Sequence, residues 1–267
     1  MKKIDYRNRK WVLDFYESAV GWWGESWYDG SNLEERAIFL AKYIPQNSEI
    51  LELGAGTGET ARYLAKQGYK ITAIDIAPEN FDIIQKIAKY EPSIQPILGD
   101  FLKINLNKHF DAVVLFEAFG MGSDTDQRTL LERISREWLK PEGVLIMDVY
   151  HPYGPIRVAG QRMKLDALED VPTSVAMTQY QDYDPMNNRW VNTWEPVDHP
   201  ENVKSQSIRC YAPSDLMMLM NGLDLNLKDI YIDKKRVNYS TEFEFDIPYD
   251  YLFEDDFSYR MVFKKEG

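Results

Sequence analysis

Cysteine is almost absent from this chain. Its 267 residues contain one, Cys210, which excludes an internal disulfide and leaves no thiolate cluster for a structural zinc site. Histidine is nearly as scarce, and His109, His151 and His199 show no metal-ligand spacing, so no metal centre is expected. No apolar run approaches the roughly 20 residues needed to cross a bilayer, and the polar stretch 1–10 lacks the apolar segment of a secretory signal. A cytoplasmic protein without membrane association is therefore expected. Positive charge is also outweighed, with 31 Lys and Arg against 43 Asp and Glu and a net charge of -12. Such a balance repels a phosphate backbone, whose neutralisation by Lys and Arg supplies most non-specific affinity, and so disfavours a nucleic-acid partner. Internal repeats, low-complexity tracts and Pro/Gly/Ser linkers are missing as well.

What is present is the composition of an ordinary globular chain, 44% hydrophobic and 28% charged. The length suits one domain carrying a sizeable insertion. Between residues 48 and 149, short aliphatic runs at 50–53, 70–74, 94–98, 111–116 and 143–147 alternate with helix-like stretches at 60–67, 79–90 and 126–139. A further helix is expected at 33–43. This is the rhythm of βα units around a parallel sheet. After Val149 it changes: 174–183 and 189–195 read as antiparallel strands joined by a turn, 213–222 as a helix, and 225–232 and 259–264 as closing strands. The expected fold is α/β, a doubly wound, mostly parallel seven-stranded sheet with helices on both faces and an antiparallel β insertion capping the active site. The divisions are 1–47, an aromatic-rich lid segment; 48–149, the core; 150–207, the cap; and 208–267, completing the core sheet.

The chemistry concentrates in ELGAGTGET, residues 52–60, directly after the first strand and before a helix. Gly54 and Gly56 lack the Cβ that would block a tight turn and close approach to a ligand, while Gly58 lets the next helix pack tightly against the strand. The helix start adds exposed N–H groups. A dinucleotide fingerprint G-x-G-x-x-G would need its third glycine where Glu59 stands. Asp75 ends the second strand, about 20 residues on, where a carboxylate can accept both hydroxyl protons of a ribose.

The G-x-G-x-G turn after an acid resembles the first motif of the class I S-adenosylmethionine-dependent methyltransferases, small-molecule N- and O-methyltransferase branch. The resemblance covers 48–149 well. It implies S-adenosylmethionine as cofactor, with Gly54, Ala55 and Gly56 against it, Glu52 holding its methionine amino end, Asp75 its ribose, and Ile76, Asp100 and Phe101 its adenine. Phe116, after the fourth strand, is placed beside them. Phe15-Tyr16-Glu17-Ser18-Ala19 resembles the Phe-Tyr-x-x-Ala element that closes over the cofactor in that branch, which makes Tyr16 and Trp23 lid residues in an aromatic start that also includes Trp27 and Tyr28. The stretch 208–216, with Arg209, Tyr211, Asp215 and Leu216, followed by Gly222, resembles a further pattern of the branch.

Methyl transfer requires an acceptor atom in line with the sulfonium methyl, and a base only where the acceptor must lose a proton. Acceptors lie beyond the carboxyl ends of the strands. Two residues are placed there as catalytic candidates: Glu117, to steer or deprotonate an amine, and His151, as a general base near neutral pH. Each has a plainer reading, Glu117 as a solvated loop acid and His151 as a loop histidine bonded to nearby backbone. The stretch 116–120 lacks the Asn/Asp-Pro-Pro-aromatic sequence of enzymes that methylate exocyclic amines of nucleic-acid bases. Tyr180, Tyr183, Trp190 and Trp194 are expected to line one face of the cap over the pocket. The function expected is transfer of a methyl group to an amine or hydroxyl of a small molecule. Alternatives are a protein, peptide or RNA methyltransferase, an aminopropyl transferase using the decarboxylated cofactor, or a non-catalytic cofactor-binding regulator. A homodimer remains open.

Overall fold

The computed structural model describes residues 5–24, 32–232, 234–239 and 257–267. Strands β1 (Glu49–Leu53), β2 (Lys70–Asp75), β3 (Ile94–Leu98), β4 (Phe110–Leu115) and β5 (Leu139–Tyr150) run parallel. A separate antiparallel sheet holds β6 (Gln161–Leu165), β7 (Met177–Asp184), β8 (Arg189–Pro196) and β9 (Lys204–Arg209). The chain then returns through β10 (Leu225–Ile232), β11 (Lys235–Val237) and β12 (Ser258–Lys265) to the first sheet. Among the described residues that sheet has eight strands, ordered β11-β10-β12-β5-β4-β1-β2-β3. Strand β12 pairs antiparallel with β5, and short β11 extends the edge beyond the expected seven strands.

Both faces of the parallel strands are apolar because helices cover both. Leu51, Leu53, Val113, Leu115, Leu145 and Met147 point to one side and meet α5 (Asp124–Arg133) and α7 (Pro213–Met220) through Leu130, Leu131, Leu216 and Met220. Ile50, Ala112, Val114, Val144 and Ile146 point to the other, where α2 (Leu33–Leu40) and α3 (Glu59–Lys66) supply Phe39, Leu40, Ala61 and Leu64. The period of two in the strands and the apolar stripe of each helix thus fix the layering. The order reverses between β1 and β4, which opens a crevice above the carboxyl ends of these two strands.

Three local departures from the sequence pattern have clear causes. The expected helix 126–139 is α5, which begins at Asp124 behind the capping box of Ser123 and Asp126, followed by a π-helical turn Ile134–Trp138. The turn buries Trp138 completely under the Arg133 guanidinium, 4.6 Å from its ring. Strands β6 and β9, QRMKL and KSQSIR, escape notice because they carry polar residues; β6 pairs with β7, and β9 pairs with β8 and bridges to the core through Ile208 and Met121. Helix α4 (Pro78–Ala88) and the short α6 (Tyr153–Val158) complete the set with α1 (Lys10–Trp23); α6 contains Gly154 and Pro155, which hide it from propensity.

Helix α1 buries Val12, Phe15 and Ala19, spaced for one face. That face meets the cap, where the Phe15 ring lies 5.1 Å from Trp194, and Trp23 lies 5.6 Å from the same ring. Trp27 and Tyr28 lie outside the described residues. The cap is pinned to the core by Arg189, a buried guanidinium that donates to Gly122 O at 2.8 Å, Ser207 O at 2.7 Å and Ser207 Oγ at 2.8 Å. No helix among the described residues is long and apolar enough to cross a membrane.

Candidate active site

The turn after β1 is built as its glycines suggest, though not for every reason given above. Gly54 sits at φ +72°, and a Cβ there would lie 2.7 Å from the Cβ of Ala118, so its absence brings the ends of β1 and β4 together. Gly58, at φ +82°, would collide with Ile84 of α4 at 2.8 Å. It makes room for a neighbouring helix and not for its own strand, a correction that only packing between distant segments reveals. Asp75 shapes the turn: its carboxylate accepts from Gly56 N at 2.8 Å, Ala77 N at 2.9 Å and Asn80 Nδ2 at 3.1 Å. Burial raises its pKa, and these donors oppose the rise.

Above the turn lies a cavity of about 330 Å³. Gly54, Asp75, Ile76, Asp100, Phe101, Phe116 and Glu117, all singled out in the sequence, line it together with Tyr16 of α1. Residues from four separate strand ends and a distant helix thus converge on one space. Arg9, Val12, Ala118, Met121, Tyr150, Gln206 and Ile208 complete the wall and were not anticipated. Gln206 and Ile208 come from β9, so the cap does border the site, through its edge strand.

Arg9 is the most consequential of the missed residues. Its Nη1 donates to both oxygens of Asp100, at 3.0 and 2.9 Å, and its guanidinium stands 5.7 Å from the Phe101 ring centre. This ties the start of α1 across the mouth of the cavity. No local signal marks Arg9, because its partner is 91 residues away.

Beneath the turn, Glu52 is buried and its Oε2 has no hydrogen-bond partner; the same holds for Thr57 Oγ1 and Arg36 Nε. Burial pushes the Glu52 carboxyl up to about 8, with Asp75 adding and Arg36 opposing. Arg36, from α2, donates to Thr60 Oγ1 at 2.7 Å, stacks 4.7 Å from the Phe116 ring and lies 3.7 Å from Glu117. A buried carboxyl and a guanidinium left partly unpaired beside a glycine turn match a ligand end that carries both an ammonium and a carboxylate. These residues fit the amino-acid end of S-adenosylmethionine.

Glu117 follows β4 with φ +59°, a left-handed conformation rare for a residue with a side chain. The side chain is half-exposed, and its pKa is raised by desolvation and by Asp148, against the pull of Arg36 and Arg260. Tyr150 and Tyr16 flank it as phenols whose pKa values burial and nearby carboxylates push upward, so both stay protonated. The Tyr16 hydroxyl donates to Gln206 Oε1 at 3.4 Å.

Several residues singled out in the sequence lie outside the cavity wall. His151 is buried outside the cavity wall, where its Nδ1 accepts from Tyr153 N at 3.2 Å and its ring packs 4.5 Å from Tyr153. Burial lowers its pKa to about 4. With Nδ1 bonded to nearby backbone, this is the arrangement of the plainer loop reading. Trp23 belongs to the Phe15–Trp194 cluster and does not line the cavity; neither do Glu52, Ala55 and Gly56, which sit behind its wall. Tyr180, Tyr183, Trp190 and Trp194 line no part of it either. Tyr183 pairs with Trp190, whereas Tyr180 pairs with Thr193 and projects from the opposite face. The stretch around Arg209 and Tyr211 fastens the core: Arg209 Nε and the Tyr211 hydroxyl both bond Asp124, at 2.9 and 2.6 Å, and Asp215 accepts from Ala212 N at 3.2 Å to start α7.

With this geometry in view, the relationships of the chain are informative. The profile of a methyltransferase domain matches residues 50–143. "Putative methyltransferase YqeM" of Bacillus subtilis is 31% identical over 136 residues, 48% of this chain and 53% of that protein. The cypemycin N-terminal methyltransferase of a Streptomyces species is 27% identical over 104 residues, 39% and 42% of the two chains. "Probable ribosomal RNA small subunit methyltransferase A" of Methanosarcina acetivorans matches at 26% over 113 residues, 42% and 41%. The chain spans about half the length of the curated relatives it matches. Among solved structures, the CcbJ methyltransferase of Streptomyces caelestis superposes with a TM-score of 0.74 at 19% identity, covering 99% of this chain and 100% of that one. The segment 50–143, which carries the glycine turn and the switch-point crevice, thus matches a methyltransferase domain, and the chain as a whole shares the Rossmann-like fold of the CcbJ methyltransferase.

Proposed function

We propose that the protein transfers the methyl group of S-adenosylmethionine to the nitrogen of a small amine. The observation that carries this reading is Glu117, an acid in a strained backbone conformation at the wall shared by the cofactor turn and the cap-side half of the cavity. In the proposed assignment Asp100, Phe101 and Ile76 hold the purine, Asp75 the ribose, and Glu52 with Arg36 the amino-acid end. When bound, the cofactor supplies an electrophilic methyl on a positively charged sulfur.

The choice of nitrogen over oxygen follows from the base available. An aliphatic hydroxyl needs a strong base or a matched histidine, and His151 faces elsewhere with its pKa near 4. A carboxylate suffices for an ammonium, which has only to lose one proton to expose its lone pair. Glu117 attracts the cation, orients it and takes that proton. Phe116, Phe101 and the phenols of Tyr16 and Tyr150 surround the cavity with aromatic faces that favour an organic cation. A peptide α-amine falls within the same chemistry, as the relative that methylates the cypemycin N-terminus illustrates. Polymeric RNA is disfavoured by the net charge of -12.

Labelled methyl incorporation into a panel of primary amines and matched alcohols tests the reading. Amines are expected to be labelled, with Glu117→Gln lowering kcat by about 100-fold or more for a lost acid–base group. Labelling confined to alcohols, or an unimpaired Glu117→Gln enzyme, would overturn it.

A further inference from the structure

A second cavity, of about 320 Å³, adjoins the first, and Glu117 lines both. Its wall is drawn from the start of α2, the end of β5 and the strands β10 and β12. Six of its residues are charged: Glu35, Arg36, Glu117, Asp148, Lys234 and Arg260. Among them Arg260 and Asp148 form the tightest pair. They stand opposite each other on β12 and β5, and the guanidinium donates to both Asp148 oxygens, at 2.6 and 3.1 Å. The two side chains are only 14% and 8% exposed. Removing two charges from water costs about as much as their attraction returns, so such a pair adds little stability by itself.

Its position gives it another use. The Arg260 guanidinium lies 5.2 Å from the centre of the Phe116 ring, and that of Arg36 lies 4.7 Å from the same ring. Phe116 immediately precedes Glu117, the residue held at φ +59°. On the other flank, Ala118 presses on Gly54, where a Cβ would stand 2.7 Å away. Glu117 is thus fixed between two anchored neighbours, the surroundings that a left-handed backbone requires in a residue with a side chain. The groups that face it come from four elements: Arg36 of α2, Asp148 and Tyr150 of β5, Arg260 of β12 and Tyr16 of α1. Burial raises the pKa of Glu117, Arg36 lowers it, Asp148 raises it and Arg260 lowers it.

We propose that Arg260 and Asp148 are positioning residues for Glu117: Asp148 holds the guanidinium against Phe116, and the pair fixes the direction and the charge of the acid. The inference rests on the reading of Glu117 as the group that takes the acceptor's proton. In that step the ammonium loses one proton, the Glu117 carboxylate gains it, and the lone pair stays on nitrogen. Neither Arg260 nor Asp148 borders the cofactor cavity, so both act through Glu117.

The experiment uses the full chain labelled with carbon-13 at the glutamate carboxyls, the Glu117 signal being identified by its loss in Glu117→Gln. Arg260→Gln removes the positive member of the pair and Asp148→Asn the negative one, with a neutral amide in each place. Glu117 is expected to titrate at higher pH in Arg260→Gln and at lower pH in Asp148→Asn, each displaced by about half a unit or more, the order of one uncompensated charge near a partly exposed group. Displacements of opposite sign from the two halves of one ion pair are not produced by a merely structural role. The double variant Arg260→Met/Asp148→Leu is expected to keep or raise Tm, as buried pairs replaced by apolar residues commonly do. On the amine labelled in the assay above, its kcat should fall by about tenfold or more through misplacement of Glu117, with the Kd for S-adenosylhomocysteine unchanged. The double variant carries the test should a single one fail to fold. Displacements of the same sign, none in either single variant, or an unimpaired kcat in the double variant overturns the proposal. If no amine is labelled, the amine reading fails, whereas the titrations still decide whether the pair governs Glu117.

Discussion

Glu52 offers the sharpest physical test of how the cofactor is held. In the free protein its buried carboxyl has a pKa of about 8, so at pH 7 it is about 0.9 protonated. The ammonium of the bound amino-acid end, placed beside it, favours the ionised form. A fall of the pKa to about 5 would release nearly the whole proton and correspond to coupling of about 4 kcal/mol. Calorimetric titration with S-adenosylhomocysteine in phosphate and in Tris, which differ in ionisation enthalpy, measures this directly. The observed enthalpy is expected to differ between buffers by the equivalent of about 0.9 proton released at pH 7. Glu52→Gln, which cannot ionise, should abolish the difference and weaken binding by about tenfold or more, since a neutral amide replaces a charge-assisted partner. No buffer dependence in the wild type, or the same dependence in Glu52→Gln, would refute the placement of Glu52 against the ammonium. The stability of the free protein carries the matching sign. A carboxyl raised from 4.5 to about 8 stabilises the fold below pH 4.5 and loses that contribution as pH rises through 8, so Glu52→Gln should flatten this part of the pH–stability curve.

His151 predicts the opposite slope: with its pKa lowered from 6.5 to about 4, its contribution is present above pH 6.5 and lost as pH falls towards 4, on the order of 3 kcal/mol. Replacement by Gln should remove this acid-side loss in thermal melts and leave the pH profile of turnover unchanged; a displaced kinetic profile would restore His151 as a base. Asp75→Asn, which keeps the shape but weakens acceptance from Gly56 N and Ala77 N, is expected to lower cofactor affinity by about 1 to 3 kcal/mol, and unchanged affinity in a folded variant would remove Asp75 from the site. Arg9→Ala should speed dissociation of S-adenosylhomocysteine in stopped-flow chase experiments, since α1 loses its ion pair with Asp100 across the cavity mouth; an unaltered off-rate would make that pair irrelevant to closure.

The sequence alone determined the parts of this protein that depend on contiguous residues. The alternation of aliphatic runs with helical stretches gave the parallel sheet and its layering, because burial on both faces imposes its period on each strand. The turn of Gly54, Gly56 and Gly58 announced itself, since left-handed backbone and close approach demand residues without a Cβ. Asp75, Asp100 and Glu117 were legible because strand ends deliver them to one crevice. Tertiary structure alone decided what depends on contacts between distant segments. It turned His151 into the interior, gave Gly58 its partner in Ile84, reached Arg9 across 91 residues to Asp100, and chose which face of the cap looks into the cavity. Side-chain direction in a strand changes with every residue, and register across strands is set by pairing, so aromatic content at 180–194 could not tell Tyr180 from Trp190. The meeting of Arg36, Asp148 and Arg260 around Phe116 and Glu117 exists only once α2, β5 and β12 are in place, and no single segment contains it.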